Sequence, residues 1–417
     1  QPANPPAENQ PSLTEKNKIK RIANQKLGTA TPNCAKPMIP VLGKPVMEYL
    51  VEQLARHGFN QIMVNISHLA DSIEQYFGDG RRWGVEIGYS FEGYLNDGAP
   101  IAQPVGSAGG IARIQDFGSF FDDTFLVVCG DALIDLDVTA VVRRHWQSGA
   151  LASMVVCQVP RERVPNYGVV VCDEAGTITS FQEKPSVEEA RSRLVNTGIY
   201  VFEPEVIGLI PRDIDYDIGS QLFPRILERG LAFHAINIPF NWIDIGQMND
   251  YWEANQQLMR GKLQGVRMPG TEVRPRIWTG LNVDVAWDDI RVEGPVYIGS
   301  ACRIEADCEI IGPTWIGHGC HLERGARISR SILFEYSRIR SSGRVTEALV
   351  FGRNCVDRDG RPLSINEGKL DWVGDAREVL GGHKSASKKA AKKTTGKKDA
   401  EGKPATKTRI AKRQAVD

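Results

Sequence analysis

Two apolar runs in this sequence end in an aspartate. The first is Phe125-Leu-Val-Val-Cys-Gly130-Asp131 and the second is Trp242-Ile243-Asp244-Ile245-Gly246. A continuous apolar run reads as a strand buried on both faces, as in a parallel sheet covered by helices. Gly130 lets the backbone turn as that strand ends. Asp131 then stands at the carboxyl end of the strand, where open α/β sheets bind ligands. A lone carboxylate there suits a hard cation such as Mg²⁺, which takes oxygen ligands and leaves room for phosphates. An isolated Gly-Asp more often caps the next element, and the second apolar-then-acid stretch is what shifts the balance. Three more stretches carry reactive groups. Lys36-Pro37-Met38 sets a cation just before the first predicted helix. Glu183-Lys184-Pro185 puts an acid and a base at a strand end. Asn196-Thr197-Gly198-Ile199-Tyr200 offers amide and hydroxyl hydrogen bonds. Taken singly, each has a plainer reading as a solvated turn, and the tryptophan as core.

These groups need a regular scaffold. From Met38 onward the pattern supplies one. Apolar residues at 46, 47, 50, 51 and 54 have helical spacing, and Gly58 closes that helix. Strands are predicted at 61–66 and 85–91, a helix at 70–77, and a helix opening at Gly106-Ser107-Ala108-Gly109-Gly110. Strand and helix alternate, so the sheet is expected to be mainly parallel. After residue 150, strands are predicted at 152–158, 167–172, 178–182, 198–202 and 233–238, with helices at 187–193, 221–228 and 250–259.

From Val292 the period changes. Val292, Ile298, Ile304, Ile310, Ile316, Leu322, Ile328 and Phe334 follow at intervals of six. Cys302, Cys308, Thr314, Cys320 and Ala326 supply a small side chain four residues after five of them. A strict hexad of this kind fits a parallel β-helix, in which one residue per short strand fills a narrow bore. After a slip of one residue, Ile339, Val345 and Phe351 are expected to continue it. The three cysteines follow the repeat and not the spacing of a zinc site.

The 417 residues are enough for two domains with real cores, at 41% hydrophobic content. The expected division is a disordered segment 1–16, a first domain 17–262, a linker 263–290, the repeat region 291–360, an extension 361–383 and a disordered tail 384–417. The net charge of zero hides an asymmetry. The tail holds twelve Lys/Arg and three acids, so it carries +9 and the body −9. Its lysines are not interleaved with aromatics that could stack on bases, so nucleic acid is not the expected partner. No apolar run approaches the ~20 residues of a membrane helix. The N-terminus, which opens on Gln, has neither the basic nor the apolar part of a secretory signal. Eight cysteines without a Cys-x-x-Cys pair favour reduced thiols and a cytoplasmic location.

Together, Gly130-Asp131, Tyr167-Gly168-Val169, Glu183-Lys184-Pro185, Asn196-Thr197-Gly198-Ile199-Tyr200 and Trp242-x-Asp244-x-Gly246 resemble, in order and spacing, the sugar-1-phosphate nucleotidyltransferases. The resemblance runs from Lys36 to Met259, and many members carry a hexapeptide β-helix after it. Met38 to Met47, Gly106 to Gly110 and Gly130 to Ile134 look most like bacterial mannose-1-phosphate guanylyltransferases, with glucose-1-phosphate uridylyl- and thymidylyltransferases close by. The resemblance implies a Rossmann-like α/β domain followed by a left-handed parallel β-helix that drives self-association. It implies attack of a sugar-1-phosphate oxygen on the α-phosphorus of a nucleoside triphosphate, here GTP with mannose 1-phosphate, giving GDP-mannose and pyrophosphate. Mg²⁺ held by Asp131 and Asp244 would stabilise the phosphates. Lys184 would hold the sugar phosphate and Glu183 the sugar hydroxyls. Tyr167, Gly168, Asn196 and Thr197 would complete the sugar pocket. Lys36, Gly28, Thr29 and Gly106, Ser107, Ala108 and Gly109 would meet the nucleotide.

One stretch departs from the family. Its members open with a strand and a Gly-x-Gly-Thr-Arg-x-x-Pro loop that wraps the triphosphate. Here Gly28-Thr29 is followed by Ala30, and the distance to Lys36-Pro37 is short. An arginine holds two phosphate oxygens at once, a geometry that lysine does not reproduce. The departure keeps a second reading open, a regulatory homologue that binds a sugar nucleotide without turning it over. A wrong start or shifted frame upstream would also produce it. A third reading, an acyltransferase, would draw on His318 and His321 of the repeat region, which are more often exposed corner residues.

Overall fold

The computed structural model describes residues 35–67, 69–96, 99–212, 214–363 and 372–378. Gly28, Thr29, the expected disordered segment 1–16 and the tail 384–417 lie outside them.

In the first domain, helix α1 (Val46–Arg56) follows a short 3₁₀ turn at Lys36–Met38. Strand β1 (Gln61–Ile66), helix α2 (Ala70–Phe77) and strand β2 (Glu86–Phe91) come next. Helix α3 (Ser107–Gly118) precedes β3 (Phe125–Val128) and β4 (Ala132–Ile134). Helix α4 (Val138–Ser148) leads into β5 (Ala152–Gln158), β6 (Gly168–Cys172), β7 (Ile178–Glu183) and β8 (Leu194–Phe202). Helix α5 (Phe223–Glu228), β9 (Phe233–Asn237), β10 (Trp242–Asp244) and helix α6 (Met248–Met259) complete it.

The large sheet runs β7-β6-β8-β5-β9, with β3 also on β8. It is mixed, not mainly parallel as expected. β9 pairs with β5 in parallel, but β5, β6 and β3 all pair antiparallel to β8. Parallel pairing also joins β1 to β2. Alternation of predicted elements is blind to this, because the long β8 returns against its neighbours instead of crossing over a helix. The expectation that β3 is fully buried is corrected too. Leu126 and Val128 pack beneath α1, while Phe125 and Val127 pack on the α3 side. Yet all four are half-buried, and among the described residues β3 has a strand partner along one edge only. The predicted helix 187–193 is a turn, in which Ser186 and Glu189 hydrogen-bond to each other and to local backbone.

The repeat region consists of three sheets of short strands, joined in parallel except at their ends. Equivalent residues stand 18 apart in the middle, as in Val296↔Thr314 and Glu309↔Arg327. This is compatible with the expected coil. It begins inside the stretch expected as a linker, since Ile277–Thr279 already pairs with Val296–Ile298. One extra residue between Val285 and Val292 puts that first turn out of the hexad phase and conceals it. Leu333, not Phe334, and Val350, not Phe351, are the inward residues. Phe334 and Phe351 instead pack on the outside, toward α6. Cys302, Cys308 and Cys320 are buried as expected, their thiols donating to the carbonyls of Gly317, Glu323 and Phe334 in the next turn. Val373–Asp375, in the expected extension, adds an antiparallel strand to Ser337–Ile339. Among the described residues no helix is long and apolar enough to cross a membrane.

Candidate active site

The site lies where one edge of β8 changes partner. Val195 pairs with β6, whereas Ile199 to Phe202 pair with β3. β6 and β3 therefore diverge around Thr197-Gly198, and the chain leaving β3 through Cys129-Gly130-Asp131 enters the gap. Gly198 (φ +74) is required there, because a Cβ would sit 2.7 Å from Cys129 Sγ. Gly130 is not needed for its turn: it is absent from the left-handed residues, and a Cβ would make ordinary contacts with Pro37 and Met47.

Asp131 and Asp244 converge because β4 and β10 pair antiparallel, with Asp244 opposite Ala132. Lys36 lies between them. Its ammonium is paired with Asp131 and lies 3.7 Å from Asp244 Oδ1. The 3₁₀ turn Lys36–Met38 aims it there, with Pro37 lying over Gly130. Burial pushes the Asp244 carboxyl above the usual range; Lys36 works against this, and Asp131 and Asp250 add to it. Burial lowers the Lys36 ammonium, but the pair with Asp131 and the charge of Asp244 outweigh it and hold it above its ordinary value. Asp250, which sequence reasoning missed, accepts from the Gln247 amide and faces Arg163 at 3.7 Å. Arg163 also donates to the Tyr167 hydroxyl, and the Tyr167 ring lies 5.2 Å from Trp242.

The sugar-side candidates divide. Glu183 is opposite Gly168 across β6 and β7. A Cβ on Gly168 would lie 2.5 Å from the Phe181 ring and 3.1 Å from Glu183 Oε2, so this glycine makes room for both side chains. Asn196 accepts from the Gly198 amide and donates to the Tyr200 hydroxyl. Thr197 is a correction: its buried hydroxyl donates to Val155 O, so it braces the sheet and is not presented to a ligand. Lys184 is mostly exposed in a left-handed conformation (φ 44) and is 3.8 Å from Glu183 Oε1. It does not join the Lys36 cluster. Among the residues expected to meet the nucleotide, Gly106 has φ +78 and no room for a Cβ, which would meet Asp215 Oδ1 at 2.4 Å. Ala108 is fully buried in the core. The amides of Ala108 and Gly109, expected to face phosphates bare, both donate to Tyr216 O.

His318 and His321, the histidines of the acyltransferase reading, sit on the outer surface of the repeat region. His321 bonds Glu305 and His318 lies edge-on to Tyr336.

The Nucleotidyl transferase family matches residues 25–261 of the sequence. The chain belongs to that family. It is similar to a UTP–glucose-1-phosphate uridylyltransferase of Synechocystis sp., 53% identical over 350 residues, which cover 84% of this chain and 90% of the relative. A mannose-1-phosphate guanylyltransferase of Mycobacterium tuberculosis is 27% identical over 68% of this chain and 79% of its own length. Among solved structures, HddC from Yersinia pseudotuberculosis is similar at 22% identity and a TM-score of 0.45, covering 54% of this chain and 89% of HddC. Nucleotidyl transfer to a sugar 1-phosphate is the chemistry that the names of both relatives describe.

Proposed function

We propose that this nucleotidyltransferase joins UTP and glucose 1-phosphate into UDP-glucose and pyrophosphate. The preference for mannose and GTP drawn from the motifs gives way here. The Synechocystis relative, matched along nearly its whole length, carries the glucose and uridylyl name, and the guanylyltransferase is far less similar. The observation that carries the chemistry is the convergence of Asp131, Asp244 and Lys36.

Two carboxylates this close repel unless a cation lies between them. Lys36 is that cation in the protein alone. The oxygen donors fit Mg²⁺, and no set of three or more acid, His or Cys groups gathers to hold an ion among the described residues, so substrate phosphates would complete the shell. Bound there, Mg²⁺ would neutralise charge on the α-phosphate and the departing pyrophosphate. A phosphate oxygen of glucose 1-phosphate attacks the α-phosphorus, a new P–O bond forms, and the α–β bridging oxygen leaves with pyrophosphate. Lys36, released from Asp131, turns to the triphosphate. Glu183 accepts from sugar hydroxyls, and Lys184 swings in to the sugar phosphate. Little covalent work falls to the protein, because positioning and electrostatics dominate this type of transfer. We read the repeat region as a left-handed parallel β-helix that serves self-association, which sedimentation of the full chain tests.

Pyrophosphate release with UTP and glucose 1-phosphate, compared with GTP and mannose 1-phosphate, tests the assignment. Faster turnover of the guanosine pair would overturn the substrate choice. The regulatory reading keeps one specific observation, Ala30 after Gly28-Thr29. UDP-glucose binding with no pyrophosphate release from either pair would favour it.

A further inference from the structure

The loop before α5 meets the start of α3 in a closed set of hydrogen bonds that no step above uses. Tyr216 O accepts from the amides of Ala108 and Gly109, and the Tyr216 amide donates to Val105 O. One residue on, Asp217 Oδ2 accepts from Ser107 Oγ at 2.7 Å, and Ser107 Oγ accepts from the Ile218 amide at 2.8 Å. The other carboxylate oxygen, Oδ1, accepts from the amide and hydroxyl of Ser220 at 2.8 and 2.9 Å. Asp217 thus caps a five-residue π-helical turn, Ile218–Leu222, and ties it to a helix over a hundred residues away in sequence. Such turns are rare and concentrate at functional sites.

The far side of the turn is the sugar side of the cleft. A Cβ on Gly219 would lie 3.5 Å from Glu183 Oε2 and 3.9 Å from the Phe181 ring. The Glu183 carboxylate therefore lies between two bare stretches of backbone, Gly168 and Gly219. Asp217 itself is filled with donors. Burial works against its charge, but hydrogen bonds from Ser220, Ser107 and Gly219 outweigh this and hold its carboxyl below the usual range. It is a strut and not a ligand.

We propose that Asp217 is a positioning residue that locks the Ile218–Leu222 turn to the start of α3, and so sets the spacing between the nucleotide side of the cleft and Glu183. The proposal rests on the assignment of Glu183 to the sugar. A one-ångström displacement at such a wall can cost up to about a hundredfold in rate.

The test uses the full chain carrying Asp217→Ala or Asp217→Asn. In Asp217→Ala, KM for glucose 1-phosphate is expected to rise about tenfold while kcat stays within about threefold, the pattern of lost ground-state and transition-state binding together. Asp217→Asn keeps an acceptor for Ser220 and recovers most of the loss. Ser107→Ala shifts KM in the same direction, and with Asp217→Ala its effect is less than additive, because the two residues share the bond between Ser107 Oγ and Asp217 Oδ2. Amide hydrogen exchange supplies a readout that needs no turnover: in Asp217→Ala the amides of Ala108 and Gly109 lose protection together with those of Ser220 and Leu222. Exchange confined to 218–222, or an unchanged KM with both segments loosened, overturns the proposal. If the unmodified chain neither releases pyrophosphate nor binds UDP-glucose, the function assigned above fails, and joint loss of protection still supports the lock while its absence sinks it.

Discussion

Lys36 stands between Asp131 and Asp244, the two acids proposed to hold Mg²⁺, and this shapes what each acid can do. In the metal-free protein the Asp244 carboxyl takes up a proton at a higher pH than an ordinary carboxylate, so its charge disappears as pH falls through that raised midpoint. Asp250→Asn removes a like charge and should move the midpoint down, as followed by carboxyl carbon NMR of the metal-free chain. Lys36→Met should move it up. Asp131→Asn is expected to lower kcat by about a hundredfold or more, comparable to losing one preorganised charge-stabilising group; near-normal pyrophosphate release in that variant would remove Asp131 from the mechanism. At this scale the sequence is informative where a residue's position follows from its place at a strand end. Asp131 and Asp244 announce themselves in that way. Thr197 does not, because a strand hydroxyl carries no sign of which face it occupies. Asp217 is illegible for another reason: its meaning depends on Ser107, and no local pattern connects the two.

Elements are legible in type and much less so in direction. The helices at 46–56, 70–77 and 248–259 follow their apolar spacing, with boundaries displaced by a residue or two. The mixed sheet stays hidden because strand polarity is set by which neighbours a strand meets, and β8 meets three. The split of β8 between β6 and β3 is what opens the cleft, so residues that hold the split matter more than their chemistry suggests. Gly106→Ala should destabilise the fold by about 1–3 kcal/mol and loosen the start of α3, since it combines a positive φ with a clash against Tyr216 O; thermal unfolding measures it. Behind the same sheet, buried His145 bridges Ser153 Oγ at 2.7 Å and Glu203 Oε1 at 2.9 Å. The partners are those of a nucleophile triad, but Ser153 is 1% exposed inside β5, so no substrate reaches it. His145→Phe leaves the buried Ser153 hydroxyl unpaired and Glu203 with only the Thr124 hydroxyl, and is expected to cost about 1–3 kcal/mol in denaturant titration without altering KM.

Across the whole molecule, α6 joins the two regions. Tyr251 donates to Pro40 O on the Lys36 side, and Trp252 and Gln256 donate to Arg330 O and Pro313 O of the repeat region. Trp315 stacks on Tyr297 at 4.0 Å and also lies against Gly43, in the turn that follows Lys36. The repeat region thereby supports the segment that follows Lys36. Trp315→Ala is expected to lower stability by about 3–5 kcal/mol, read from the denaturant midpoint. The hexad spacing by itself makes this region legible, and it misleads only where a single residue is gained or lost: one before Val292, one before Leu333, one before Val350. Each changes the phase without breaking the ladder.

That tolerance has a consequence for how such a chain can change size. Because residues 18 apart occupy the same rung from Val296 to Ile328, duplicating one full circuit there would lengthen the column by a storey and leave every ridge matched to the next. Half a circuit would turn charged residues inward. Gene-level growth in this protein should therefore come in whole circuits, and an inserted copy of one circuit should melt close to the parent while an insertion of half that length fails to fold.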